Sequence, residues 1–201
     1  MEAAPASRKQ LTHDRILDTA ARVLREGGFA GVGVADIMKR AGLTHGGFYA
    51  HFPSRDALLA EALDRAGQDS QARLQRSLAA SDAGDGGRFR ALVESYLADR
   101  HLKSAESGCP VAALASELPR QSEAVRATGA ARIGSLTAAV QAALATGHTA
   151  ETAGIVAAQL VGSLQIARTL GDNARGRRHL AASRRFLLEQ FDHPPRREKS
   201  R

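Results

Sequence analysis

The sequence predicts an all-α protein, and three observations carry that prediction. Apolar residues recur at helical spacing along nearly the whole chain, while strand-like alternation never lasts beyond a few residues. Breaks rich in Gly, Pro, Ser and Asp divide the periodic stretches into about nine helices, with no internal repeat. Hydrophobic residues make up 43% of 201 residues, enough to build a sizeable core.

Taken in order, residues 1–8 are small and polar and are expected to form a disordered arm. From Thr12 onward Ile16, Leu17, Ala20, Val23 and Leu24 fall on one helical stripe, and Gly27-Gly28 stops that helix. A short helix over Val34–Ala41 turns Ile37 and Met38 inward, with Gly42 placed as its C′ residue. Thr44 can cap a third short helix that runs to about His51, and Pro53 breaks it. Ser54 can cap a long helix whose buried face is Ala57, Leu58, Leu59, Ala62 and Leu63. Ser81–Gly87 is a loop, and Phe89, Leu92, Val93, Tyr96 and Leu97 then give an amphipathic helix. Gly108-Cys109-Pro110 opens a further helix that ends near Pro119. Val125, Ile133, Leu136, Val140 and Leu144 mark a long helix ended by Gly147. Glu151–Leu170 is apolar nearly all round, so it must be covered on both sides. Asp172 can cap a last helix carrying Leu180, Phe186, Leu187 and Phe191, ended by His193-Pro194-Pro195. Residues 192–201 are a flexible basic tail.

Charge narrows the function classes less than its size suggests. The 28 Lys and Arg against 21 Asp and Glu leave a net charge of +7, which points toward a polyanion. Residues 1–53 contribute only +2 of this, residues 54–170 nothing, and residues 171–201 the remaining +5. Aromatics at 4% argue against stacking surfaces for single-stranded nucleic acid. The single cysteine excludes an intramolecular disulfide framework. No unbroken apolar run approaches the ~18 residues of a spanning helix, and the first ten residues lack the apolar core of a signal peptide. The expectation is a soluble cytoplasmic protein without a membrane partner. Enzyme signatures are missing: no phosphate-cradling Gly-rich loop, no H-E-x-x-H, no paired-Cys metal site. His45 and His51, six apart on a short helix, are poorly spaced for a metal. The expectation is therefore no catalysis, no cofactor and no metal.

The information sits in the first 53 residues. Three short helices there have helix-turn-helix spacing, with the tight turn at Gly42-Leu43 and the third helix placed to offer its N-terminal residues to a major groove. Ile16-Leu17, Ala20-Ala21, Gly28-Phe29, Val34, Asp36-Ile37, Ala41-Gly42, Gly46, Tyr49, His51-Phe52-Pro53-Ser54 and Leu58-Leu59 together resemble the DNA-binding domain of the TetR/AcrR family of transcriptional regulators, over residues 12–63. Gly108 to Leu114 resembles a segment of some members more weakly. The resemblance implies a DNA-binding domain over residues 1–53 and an effector-binding and dimerisation domain over 54–191. It implies a homodimer on double-stranded operator DNA, most often a repressor released by a small molecule.

Carried over position by position, the resemblance gives Thr44 a cap and phosphate role, makes His45 an outward contact, and lets Gly46 approach the DNA closely. Tyr49, His51 and Arg55 would contact phosphates, and Lys39 and Arg40, with Arg8 and Lys9 on the arm, would neutralise the backbone generally. Phe48 would face the core with Phe29 and Phe52. Some positions depart from the pattern. Gly33 stands where a Ser or Thr cap is usual, and Ala35 where a basic residue is common. Gly47 makes the recognition helix doubly glycine, and each Gly costs ~1 kcal/mol against Ala inside a helix. A soft recognition helix is expected, with much of the readout through backbone and shape. The same departures would also suit a helical adaptor that had lost DNA binding.

In the C-terminal part, the resemblance and the excess apolar face of Glu151–Leu170 place a dimer surface on the last two helices, at Ile155, Leu160, Gly162, Leu164, Leu180, Leu187 and Phe191. The alternative is that the penultimate helix is simply central in its own subunit. An apolar or amphipathic effector is expected between the fourth and eighth helices, lined by Leu97, Arg100, His101, Cys109, Leu114, Glu117, Ile133 and Gln165. Cys109 reads either as a redox-sensitive thiol at a helix start or as a small buried residue. The cluster Arg175, Arg177, Arg178, Arg184 and Arg185 reads either as a solvated rim of the dimer or as a second nucleic-acid surface.

Overall fold

The structure, a computed structural model, describes residues 7–31, 33–81 and 87–193. Among the described residues there are nine α-helices, three short 3-10 segments and no strand. The helices are α1 (Arg8–Gly27), α2 (Val34–Arg40), α3 (Arg55–Ser81), α4 (Arg88–Tyr96), α5 (Asp99–Lys103), α6 (Pro110–Leu114), α7 (Glu123–Ala143), α8 (Ala150–Leu170) and α9 (Ala174–Phe191).

The count of nine agrees with the sequence, but the membership differs. The third predicted helix is a 3-10 segment over His45–Ala50, and α5 is a single short turn with no periodic stripe to announce it. The helix expected from 108 to 119 stops at Leu114 and gives way to a 3-10 turn over Leu118–Arg120. Pro119 supplies the reason, since its ring would clash with the carbonyl four residues back. The first helix begins four residues earlier than predicted, because Ser7 Oγ accepts the Gln10 N–H at 3.2 Å and caps it. Arg8 and Lys9 are thus helical residues and not part of an arm. The cap of α9 is Asn173 and not Asp172: its side chain accepts the N–H groups of Arg175 and Gly176 at 2.8 and 3.3 Å. Asp172 instead pairs with Arg177. The helix-ending Pro194-Pro195 and most of the predicted tail lie outside the described residues.

The chain forms two compact units: residues up to 69 with 106–130, and residues 70–105 with 131 onward. The boundary drawn after Pro53 from the sequence falls inside the first unit. One apolar core explains this. Ile16, Leu24, Phe29, Ile37, Met38, Phe48 and Phe52 share it with Leu58, Leu59 and Leu63 of α3, and with Leu114, Leu118 and Val125 from beyond residue 106.

In the second unit α8 packs along α9, which also packs on α4. Leu160 and Leu164 of α8 and Leu180 and Leu187 of α9 are all fully buried. By length and composition α8 would pass for a membrane-crossing helix, with a mean hydropathy of 1.2 over 18 residues, of which 39% are buried inside the chain. Thr152, Gln159, Ser163 and Gln165 interrupt its apolar residues, so no unbroken apolar run marks it in the sequence.

Candidate nucleic-acid interface

The scaffold of the candidate interface is set by two glycines. Gly28, at φ +70°, ends α1 with its N–H on the Leu24 carbonyl. Gly42, at φ +71°, ends α2 in a Schellman turn: its own N–H bonds the Lys39 carbonyl at 3.0 Å, and the Leu43 N–H bonds that of Met38 at 2.9 Å. Only a residue without Cβ reaches these conformations cheaply, so both fix the angles between the elements. As expected, Gly33 begins α2 without a side-chain cap.

The recognition segment then follows as His45–Ala50. The Gly47 N–H reaches the Thr44 carbonyl at 3.2 Å and the His51 N–H reaches that of Phe48 at 2.9 Å, both in the i→i−3 pattern of a 3-10 helix. Gly46-Gly47 weakens any longer α-helical continuation. Thr44, His45, Gly46 and Tyr49 are exposed and Gly47 is half-buried. Tyr49 is 73% exposed, yet its ring is braced edge-on by buried Phe48 at 5.1 Å. Phe48 in turn stacks on Phe52 at 5.8 Å. The Thr44 side chain makes no cap bond, which leaves its hydroxyl available to a ligand.

The predicted cations divide. Lys39 is exposed on α2, whereas Arg40 is engaged by Asp36 at 2.8 Å and Glu26 at 3.8 Å. Arg55 donates to the Phe29 carbonyl at 2.7 Å, so a phosphate would compete with a structural bond there. His51 is half-buried beside His13 of α1, with ring centroids 6.1 Å apart. Burial first, then the neighbouring His13 and Lys9, hold its pKa below the ordinary histidine value.

The residues expected to line an effector pocket are divided between the two compact units. Leu97 is fully buried, and Leu114 belongs to the core of the first unit. Glu117, also in the first unit, accepts the Phe29 N–H at 2.9 Å and so belongs to the helix-turn-helix scaffold. Cys109 is buried at the start of α6. Arg100, His101, Ile133 and Gln165 lie in the second unit, where Arg100 is exposed and donates to Ser95 Oγ at 2.9 Å. A groove of ≈ 270 Å³ in the first unit, edged by Leu17, Glu61 and Thr128, contains none of these residues.

The dimer residues divide as well. Leu160, Leu164, Leu180 and Leu187 have no surface to give a partner, because they form the α8–α9 contact inside the chain. Ile155 is 66% exposed, Gly162 and Phe191 are half-buried, and Ile166 and Phe186 are exposed as well. Three of the five clustered C-terminal arginines have partners within the chain. Arg184 donates to the Leu97 carbonyl, Arg177 pairs with Asp172, and Arg185 lies 4.0 Å from Glu189.

Two features of this site escaped the sequence. Glu117 joins Phe29 across a separation of 88 residues, for which no local signal exists. His13 carried one weak signal: three of the chain's seven histidines fall in the first 53 residues.

Comparison with known proteins gives the architecture a context. Residues 16–62 match the family model described as bacterial regulatory proteins, tetR family, and residues 86–185 match the Tetracyclin repressor-like C-terminal domain. An uncharacterized HTH-type transcriptional regulator of Mycobacterium tuberculosis is 30% identical over 105 residues, 52% of this chain and 52% of the relative. The chain therefore spans about half the length of the relative it matches. Among solved structures, a TetR-family transcriptional regulator from Agrobacterium tumefaciens superposes with a TM-score of 0.72 at 24% identity, covering 92% of this chain and 99% of that one. The reduced form of NemR from E. coli gives 0.74 at 22% identity, covering 90% and 96%. At these identities the likeness establishes the fold.

Proposed function

Because the chain belongs to the TetR family of bacterial regulatory proteins, we propose that it is a sequence-specific regulator that binds double-stranded operator DNA as a homodimer. The observation that carries this reading is the exposed Thr44–Tyr49 face, held on a buried Phe48–Phe52 base and aimed by the Gly42 turn. In this reading Thr44, Tyr49, His51 and Lys39 contact phosphates, while Gly46 lets the backbone approach the duplex and His45 stands toward base edges. The reading also locates the protein in the cytoplasm, with the chromosome.

Release from DNA by an apolar or amphipathic small molecule, with repression as the default state, completes the proposal. Its support is the second family model, over residues 86–185. A ligand acts only if it favours a dimer geometry that mis-spaces the two recognition segments. In this reading the half-buried His101 and Gln165 and the exposed Arg100 and Ile133, all in the second unit, serve that ligand.

The test is a fluorescence-anisotropy titration of the full chain against duplexes from its own upstream region, at several salt concentrations. The expected result is preference for one sequence, with affinity falling steeply as salt rises. Equal, weak binding to every duplex would overturn the proposal in favour of an adaptor without DNA specificity.

A further inference from the structure

His13 lies on α1, outside the recognition segment, and three neighbours fix its ring. It stacks on Phe52, with centroids 4.5 Å apart and planes tilted by 22°, and Phe52 is fully buried. Its Nε2–H donates to the Glu61 carboxylate of α3 at 3.1 Å. His51 lies on its other side. In His51 itself Nδ1 is buried without a partner, so the ring meets a ligand through Nε2. The charged groups facing His51 are Lys9 and His13, both from α1, and Glu61 of α3 faces His13. The other titratable groups of the recognition segment, His45 and Tyr49, are exposed.

We propose that Lys9, His13 and His51 form a seat for one DNA phosphate, that His13 is its positioning residue, and that the seat takes up one proton from solvent when the phosphate docks. The proposal rests on the DNA-binding reading above. Lys9 and His13 both oppose a positive charge on His51, and charging its ring would also leave a buried Nδ1–H without an acceptor. The free protein therefore disfavours the His51 imidazolium. A phosphate oxygen at Nε2 supplies the missing counter-charge and stabilises the imidazolium. Its pKa is then higher in the complex than in the free protein. Affinity must rise as pH falls from the bound value toward the free one, and it must be flat above both. His13 sets the size of this effect, because it opposes the charging of His51 in the free protein and is itself held in place by Glu61.

The experiment measures the dissociation constant of the full chain for a labelled upstream duplex between pH 8 and pH 5.5 at constant ionic strength. The wild type should tighten with falling pH, by at most about tenfold per pH unit for one linked proton. His51→Gln keeps a donor and should flatten the profile. His13→Gln should reduce the slope, since one of the groups that oppose charging of His51 in the free protein is then gone. A flat wild-type profile would overturn the seat, and so would a slope that survives in His51→Gln or vanishes only in His45→Gln. If His13→Gln does not fold, calorimetry of the wild type in two buffers of different ionisation enthalpy decides, and zero net proton uptake overturns the proposal. Absence of sequence-preferring binding at every pH is a different failure, which removes the regulator reading and the seat with it.

Discussion

At the scale of single residues, His101 and Glu117 each make a contact that periodicity does not foretell. Both were expected to line a pocket. His101 donates its Nδ1–H to the Tyr96 carbonyl at 2.7 Å, lies edge-on to the Tyr96 ring, and offers its own carbonyl to Arg168. Burial pushes its pKa down to about 4 against the favourable Tyr96 bond, with Arg168, Arg100 and Arg73 adding to the depression. A histidine depressed in the fold supports it fully only above its unfolded value near 6.5. Stability should therefore fall by up to about 3 kcal/mol as the pH drops from 6.5 to 4. Urea unfolding across that window measures it, and His101→Asn, which keeps a donor near the Nδ1 position, should remove most of the dependence. Glu117 is a structural acceptor for the Phe29 N–H, so Glu117→Ala orphans a buried donor and should cost about 1–3 kcal/mol by the same assay. A Cβ at Gly28 would also approach Glu117 Oε1 to 2.3 Å, so Gly28→Ala should be at least as damaging. Neither contact was legible in the sequence, because helical periodicity reports that a residue faces inward and never which distant residue it meets.

At the scale of elements the sequence was read well where a local signal acts. Gly42 takes the positive φ of the C′ role assigned to it, Gly28 ends α1 where the break was placed, and Ser54 Oγ accepts the Ala57 N–H at 3.1 Å as a cap of α3 should. The misses are short elements and single-residue registers: α5, the Asn173 cap, and the 3-10 character of the recognition segment. A five- or six-residue element contains too little periodicity to separate an α turn from a 3-10 turn. That segment supports a prediction which separates folding from function. A Cβ at Gly46 would meet nothing within 4 Å, and one at Gly47 would make ordinary contact with Met38 at 3.7 Å. The fold thus requires glycine at neither position. Gly46→Ala and Gly47→Ala should leave thermal stability unchanged or raised, by up to about 1 kcal/mol each. Gly46→Ala should nevertheless weaken operator binding by about tenfold or more, since its Cβ stands where the duplex approaches. Unfolding temperature and anisotropy on the same variant decide whether the glycine serves the fold or the DNA.

At the scale of the whole molecule, the issue is how one recognition segment per chain reads an operator. Two successive major grooves lie roughly 34–36 Å apart, so the proposed function requires a second copy. Periodicity predicted that Glu151–Leu170 is covered on both sides but could not say by what. The structure assigns one half to α9, through Leu160 and Leu164, and leaves Ile155, Ala158, Gly162 and Ile166 as a stripe at spacings of three and four residues. On α9 Phe186 is 50% exposed. Large apolar side chains at 66, 52 and 50% exposure on two adjacent helices, with a glycine between two of them, suit a two-fold contact. The double change Ile155→Asp with Ile166→Asp should therefore give a monomer by sedimentation equilibrium. Its intrinsic fold should survive, since exposed positions shift stability by only about 0.5 kcal/mol each. Operator affinity should collapse with the dimer. Leu164→Ala supplies the contrast: fully buried, it should cost about 2–5 kcal/mol in unfolding while leaving the exposed stripe intact. A double variant that still sediments as a dimer would move the two-fold contact off α8. A monomer that still binds its operator as tightly as the wild type would break the link between dimerisation and recognition on which the proposed function depends.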